Sequence, residues 1–142
     1  MTLTRDRRTD LLAATPLFAG VGAEGLERIA EQSVEVEFPT DRVIVRQGEV
    51  GTGFFVIARG AARVVRDGET IARLGAGDFF GELSVLDGGP RVAQVIASEP
   101  TICLGLASWD LEAVIRDEPT VAMAILRTLA TRLRELTEMT HH

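Results

Sequence analysis

Polar and apolar positions change rhythm twice along this chain. Leu11 and Leu12 open a short apolar patch that stops at Thr15-Pro16, and Leu17-Phe18 follows. A glycine-punctuated turn comes next, Gly20-Val21-Gly22-Ala23-Glu24-Gly25, and then Leu26, Ile29 and Ala30 recur at helical spacing. That spacing predicts a short amphipathic helix ending near residue 30.

From Glu31 to Ala107 the period drops to two. Val34, Val36 and Phe38 alternate with Ser33, Glu35 and Glu37, which predicts a half-buried strand. Further short runs rich in β-branched and aromatic residues follow at 43–45, 54–57, 62–65, 70–74, 92–96 and 101–104. Turn residues separate them: Gly48-Glu49, Gly60, Asp67-Gly68, Gly75-Ala76-Gly77-Asp78 and Glu99-Pro100. Asp67-Gly68 is a strong hairpin signal, and this density of short strands points to a sandwich or barrel. After Ala107 the helical period returns. Ser108 is the expected N-cap, Leu111, Val114 and Ile115 form one face, and Pro119 starts a longer helix running to about Met139. The expected fold is mainly β with flanking helices (α+β): a single domain over 1–142, with N-terminal helices at 1–30, an antiparallel β-roll at 31–107 and two helices at 108–142.

On the last helix Ala122, Leu126, Leu129, Leu133 and Leu136 are spaced four, three, four, three, a coiled-coil-like seam. Val121 and Ile125 offer a second apolar edge for the roll. Two apolar edges on one helix suit two partners; homodimerisation through this helix is the expectation, and the alternative is a single chain burying both edges on its own roll.

Composition narrows the function. Acidic residues number 21 against 15 basic ones, a net charge of −6. Such a surface opposes nucleic acid and anionic membranes, so neither direct DNA binding nor membrane association is expected. Every basic residue is Arg and none is Lys, which removes Schiff-base and phosphate-loop lysine chemistry. Cys103, in the apolar run Ile102-Cys103-Leu104, is the only cysteine, and the only histidines are His141 and His142. Ser-His and Cys-His pairs, His-based metal sites and intrachain disulfides are therefore excluded, and Cys103 is expected as a buried reduced thiol. No apolar run approaches the ~20 residues of a membrane span. A soluble cytoplasmic protein, without metal and not an enzyme, is the expectation.

One stretch breaks the strand rhythm: Phe79-Phe80-Gly81-Glu82-Leu83-Ser84-Val85-Leu86-Asp87-Gly88-Gly89-Pro90-Arg91-Val92-Ala93. A glycine precedes a one-turn helical pattern over 82–86, and a lone Arg stands just before a strand. Free amides at a helix start together with a guanidinium make an anion site. Glu82 fits such a site when the ligand also carries a hydroxyl. The residues alone leave a second reading, in which Glu82 and Arg91 form an ion pair that pins a loop.

Gly81-Glu82-Leu83-Ser84-Val85-Leu86 followed by Pro90-Arg91-Val92-Ala93 resembles the phosphate-binding cassette (80–93) of cyclic nucleotide-binding domains, as found in bacterial cAMP receptor-like proteins and protein kinase A regulatory subunits. Pro16-Leu17-Phe18 with Leu26 and Ile29 resembles that family's N-terminal helices. Arg46-Gln47-Gly48-Glu49 with 54–57 and Gly60 resembles its first hairpins, and 74–83 resembles the approach to the cassette. The resemblance implies a jelly-roll-like β-roll and a ligand, cAMP before cGMP. It implies that Glu82 accepts from the ribose 2′-OH and that Arg91 pairs with the cyclic phosphate. Amides near Gly81, Leu83, Ser84, Val92 and Ala93 complete the cradle, Val64 and Leu74 wall the ribose and base, and Arg132 and Thr137 face the base, Thr137 from a partner chain. One departure stands out: Val92 occupies a position often held by Ala, Ser or Thr. It removes a hydroxyl that would touch phosphate or guanine, and its bulk crowds the pocket.

Other signals have simpler readings. Gly20 to Gly25 satisfies G-x-G-x-x-G but follows no strand and opens no βαβ unit, so it reads as a turn. Glu35-Glu37 and Asp117-Glu118 read as solvated surface, and Trp109 as packing against the roll. The expected function is a ligand-driven sensor that repositions its C-terminal helix for an unknown effector protein. The alternatives are the sensor part of a DNA-binding regulator and a ligand-free dimerisation module with a degenerate pocket.

Overall fold

A computed structural model of the protein describes residues 3–50, 53–81 and 84–140. Helix α1 (Arg5–Ala13), a 3₁₀ turn (Pro16–Phe18) and α2 (Ala23–Gln32) precede eight strands. These are β1 (Val34–Phe38), β2 (Val43–Val45), β3 (Gly53–Arg59), β4 (Ala61–Arg66), β5 (Glu69–Gly75), β6 (Phe79–Phe80), β7 (Gln94–Ala97) and β8 (Thr101–Ala107). Helix α3 (Ser84–Asp87) sits between β6 and β7, and α4 (Ser108–Asp117) and α5 (Pro119–Thr140) close the chain. The strands form two antiparallel sheets, ordered β1-β8-β3-β6 and β2-β7-β4-β5.

Period-two alternation sends β3 and β8 to two different interiors. Phe54, Val56 and Ala58 of β3, with Leu104 and Leu106 of β8, face the helices. There they meet Leu12, Leu17, Phe18, Ile29, Leu111, Val114, Val121 and Ile125. Phe18 and Phe54 pack edge to face, centroids 5.8 Å apart. The alternate residues Ile57 and Cys103 face the other sheet, joining Ala62 and Val95. Around those four, Phe38, Ile44, Val45, Phe55, Val64, Leu74 and Phe80 are only partly buried. Burial pushes the Cys103 thiol up to about 12.

Local chemistry explains the joints. Asp67 and Gly68 both have positive φ (52° and 82°), the geometry of a tight two-residue hairpin turn between β4 and β5. Pro119 disfavours helical geometry at Glu118, which sits at φ −133°, ψ 82°, so α4 and α5 are separate.

Several expectations need correction. The first apolar patch is the end of a full helix: the Thr4 hydroxyl caps α1 by accepting from the Arg7 N–H (3.1 Å), and only Leu11 and Leu12 are buried. The G-x-G-x-x-G run is turn only up to Gly22, because Ala23, Glu24 and Gly25 are the first turn of α2. Gly25 is buried there, and a Cβ at this position would come to 2.8 Å from the Val21 and Val121 side chains. Ala107, not Ser108, is the N-cap of α4. Trp109 is 60% exposed rather than packed on the roll, since it falls on the face of α4 away from the buried Leu111 and Val114. Asp117 and Glu118 are not merely solvated: both pair with Arg28 of α2, at 2.6 and 3.6 Å. Glu35 likewise accepts from the Leu3 N–H. Strand β7 begins at Gln94, because Val92 and Ala93 are still in the bend that leaves the cassette.

Candidate functional site

The segment between β6 and β7 departs from the sheet and closes one side of a hollow. It leaves Phe80 through Gly81, whose φ is +81°. The Val85 N–H returns to the Gly81 carbonyl (3.1 Å), and the buried Val85 side chain anchors α3 on the helix-side core. Asp87 Oδ1 accepts from the Gly89 N–H (2.7 Å), fixing the following turn. The chain then pairs with the loop after β2. Val50 bridges Pro90, Arg91 N–H donates to the Glu49 carbonyl, and Gly48 N–H donates to the Arg91 carbonyl, both at 2.8 Å.

The hollow has a volume of about 560 Å³. Val45, Val64, Phe80 and Val95 wall it from the roll, and Gly81, Asp87, Gly89, Pro90, Arg91, Val92 and Ala93 from the cassette. Its walls are mainly apolar with one guanidinium, the pattern of a site for a small amphiphile bearing a negative group. Arg91 Nη2 donates to the Gly53 carbonyl at 2.7 Å. The guanidinium lies over Gly81, where a Cβ would fall onto Arg91 Nη1 and the Gly53 oxygen. Glycine is therefore demanded twice at this position, by its φ and by the close approach.

Burial lowers the Arg91 pKa from its ordinary value by desolvation, and the group stays charged at neutral pH. Among the described residues no acidic side chain forms an ion pair with Arg91. Among the described residues the Arg91 side chain bonds the Gly53 carbonyl, and a guanidinium carries further N–H donors that an anion can use. A hollow of about 640 Å³ elsewhere is bordered by Glu37, Arg59 and Glu99 with Phe38, Pro39 and Pro100. Its two carboxylates disfavour an anion, so the smaller cassette hollow is the candidate site despite its size. Among the described residues no three His, Cys, Asp or Glu side chains come together as a metal site. No described helix is long and apolar enough to cross a membrane.

Of the residues singled out by sequence, Gly81, Arg91, Val92, Ala93 and Val64 meet at this hollow. Val92 stands at its rim and is 75% exposed, so its bulk lies mainly in solvent instead of crowding the interior. Ser84 opens α3, and Glu82 and Leu83 lie outside the described residues. Leu74 is paired with Ala62 across β4–β5 and packs on the inter-sheet cluster without lining the hollow. Arg132 borders a different hollow, beside Pro16, Ala19 and Gly20. Thr137 donates its hydroxyl to the Leu133 carbonyl (2.9 Å) on α5. On the seam, Leu126, Leu133 and Leu136 are exposed and Leu129 is half-buried against the helix-side core. Sequence reasoning missed the Gly53 carbonyl, Val45 and Val95, and it placed Phe80 and Asp87 inside the cassette (80–93) without giving either a role. Strand alternation signals Phe80 and Val95, whereas a backbone carbonyl carries no sequence signal.

Comparison with known proteins agrees with this geometry. The model of the cyclic nucleotide-binding domain family matches residues 35–118. The Cyclic AMP receptor protein of Thermus thermophilus is 36% identical over 129 residues, covering 87% of this chain and 60% of that protein. A cyclic nucleotide-gated potassium channel of Rhizobium etli is 35% identical over 126 residues, covering 89% of this chain and 35% of the channel. The chain thus spans 35% to 60% of the length of these two relatives. Among solved structures, the N-terminal domain of a transcriptional regulator from Streptomyces coelicolor superposes with a TM-score of 0.87 at 30% identity, covering 94% of this chain and 96% of that one. The Thermus thermophilus catabolite activator protein superposes with a TM-score of 0.70 at 36% identity, over 89% of this chain and 62% of that one. The matched stretch runs from β1 to the end of α4 and encloses the Arg91 hollow, and the chain belongs to the cyclic nucleotide-binding domain family.

Proposed function

We propose that this chain is a non-catalytic regulatory module that binds cAMP in the cassette hollow. The observation that carries the reading is the Arg91 guanidinium, half-buried at one end of an apolar hollow, with no acidic partner among the described residues. The cyclic phosphate pairs with Arg91, while Gly81 and the amides near Leu83, Ser84, Val92 and Ala93 complete its cradle. Glu82 takes the ribose hydroxyl. Val64 walls the ribose and base, and Arg132 and Thr137 of α5 reach the base only once that helix is drawn over the hollow. Val92 lacks the hydroxyl that guanine would use, which favours adenine. Binding favours the conformation in which the cassette and α5 are drawn together, and an effector protein reads the shift; this requires unequal affinity for the two conformations. Exposed Leu126, Leu133 and Leu136 favour a homodimer through α5. A cytoplasmic setting agrees with a single buried, protonated thiol.

A second reading, the sensor part of a longer DNA-binding regulator, is supported by the near-complete mutual coverage with the Streptomyces regulator's N-terminal domain. In both readings this chain itself makes no direct DNA contact.

Titration calorimetry of the wild type and Arg91→Ala with cAMP and cGMP tests the proposal. The wild type is expected to bind cAMP more tightly than cGMP. Removing a buried charge-assisted contact costs about 2–5 kcal/mol, so Arg91→Ala loses affinity by about 30-fold or more. Equal cAMP affinity in the two proteins refutes the assignment.

A further inference from the structure

We infer that Gln47 and Asp67, which do not line the hollow, are positioning residues for Arg91. This rests on the reading of Arg91 as the phosphate-binding group. Both backbone polar groups of Arg91 are engaged by the loop after β2: its N–H by the Glu49 carbonyl and its carbonyl by the Gly48 N–H. Val50 bridges Pro90 next to them. The Arg91 main chain therefore goes where residues 48–50 go.

That loop has little of its own to hold it. Residues 46–50 are all exposed, so no buried apolar side chain anchors it. What ties it to the roll is a two-pronged clamp. Gln47 Nε2 donates to Asp67 Oδ1 at 2.9 Å, and the Asp67 N–H donates to Gln47 Oε1 at 3.0 Å. Asp67 is the first residue of the β4–β5 turn at φ 52°, a rigid two-residue corner. Strand β4 leads into that corner and carries Val64, on the wall of the hollow. The clamp thus references the cassette exit to the opposite wall and fixes the span between Arg91 and the apolar side.

Two exposed hydrogen bonds add little to global stability, because water replaces them on unfolding. Their consequence is geometric. A charge-assisted contact depends on distance and direction, so a displaced Arg91 weakens anion binding without unfolding the chain.

The test uses Gln47→Glu, Asp67→Asn and the double variant. Gln47→Glu loses the donor and sets two carboxylates against each other. Asp67→Asn keeps the acceptor and tolerates positive φ. In the double variant the amide introduced at position 67 donates to the carboxylate introduced at position 47, which reverses the side-chain prong, while the main-chain N–H of residue 67 still donates to position 47. Calorimetry with cAMP is expected to show about tenfold weaker binding for Gln47→Glu, and affinities within about twofold of wild type for the other two. The thermal midpoint of the ligand-free proteins is expected to stay within about 2 °C. Amide hydrogen exchange at Gly48 and Arg91 in ligand-free protein is expected to speed up about tenfold in Gln47→Glu and to return to the wild-type rate in the double variant. Undiminished affinity and unchanged exchange in Gln47→Glu, or a double variant as impaired as Gln47→Glu, overturns the inference. A wild type that takes up no cyclic nucleotide overturns the binding reading instead, and amide exchange alone then decides whether the clamp holds Arg91.

Discussion

Strands β3 and β8 feed two hydrophobic clusters that differ in how completely they are closed. On the helix side, Phe54, Val56, Leu104 and Leu106 are covered by α1, α2, α4 and the first turns of α5, and nineteen of the described residues are buried there. On the inter-sheet side four of the described residues are buried, and seven large or branched side chains around them remain partly open. The alternation that builds both is the same. The difference lies in the cover: helices seal one face, whereas the other sheet and the cassette leave about 560 Å³ unfilled. Stability and binding are thereby assigned to opposite faces of the same strands, and a residue's face predicts which property its loss affects.

Phe54→Ala should show the largest effect. It opens a void beside Phe18 and Phe79 and should cost about 3–5 kcal/mol in a urea melt, with cAMP affinity unchanged in the molecules that remain folded. A drop in affinity comparable to the loss of stability would merge the two faces. Next comes Cys103 on the inter-sheet face. Its thiol keeps its proton up to about 12 in the folded chain, whereas an unfolded thiol ionises near about 8.5. Unfolding above that pH releases a proton, so the contribution is nil below about pH 8.5 and stability falls as pH climbs toward 12. Between pH 8 and 10 the wild type should lose up to about 2 kcal/mol relative to Cys103→Ala. Identical losses would mean that this interior is wet enough to hold a thiolate. Leu133→Glu should show the smallest effect on stability, within about 0.5 kcal/mol, because the side chain is 66% exposed. Sedimentation should nevertheless change from dimer to monomer, and a variant that sediments as the wild type removes the α5 seam as an interface.

The two faces also differ in what the chain reveals before folding. Strand alternation at 54–57 and 101–104, the Asp67-Gly68 turn and Pro119 act through neighbours in sequence, so the roll and its helices could be read directly. Helix α1 could not. It is polar and holds only Leu11 and Leu12 inward, and its place is set by distant contacts such as Arg8 donating to the Ser33 carbonyl at 2.7 Å. Trp109 misleads for the related reason that an aromatic side chain at a helix start carries no sign of which way the helix faces. At the site, the types and order of Gly81, Arg91, Val92 and Ala93 were legible as anion-binding chemistry. The partners of Arg91 were not: the Gly53 carbonyl lies 38 positions away, and the pairing with 48–50 is made by main-chain atoms.

The most direct test is a crystal structure of the protein grown with cAMP. The account predicts the cyclic phosphate within hydrogen-bond distance of an Arg91 guanidinium nitrogen, above Gly81, with the ribose and base toward Val64. Nucleotide seated instead in the hollow beside Arg59, with the Arg91 guanidinium making no contact to it, would contradict it.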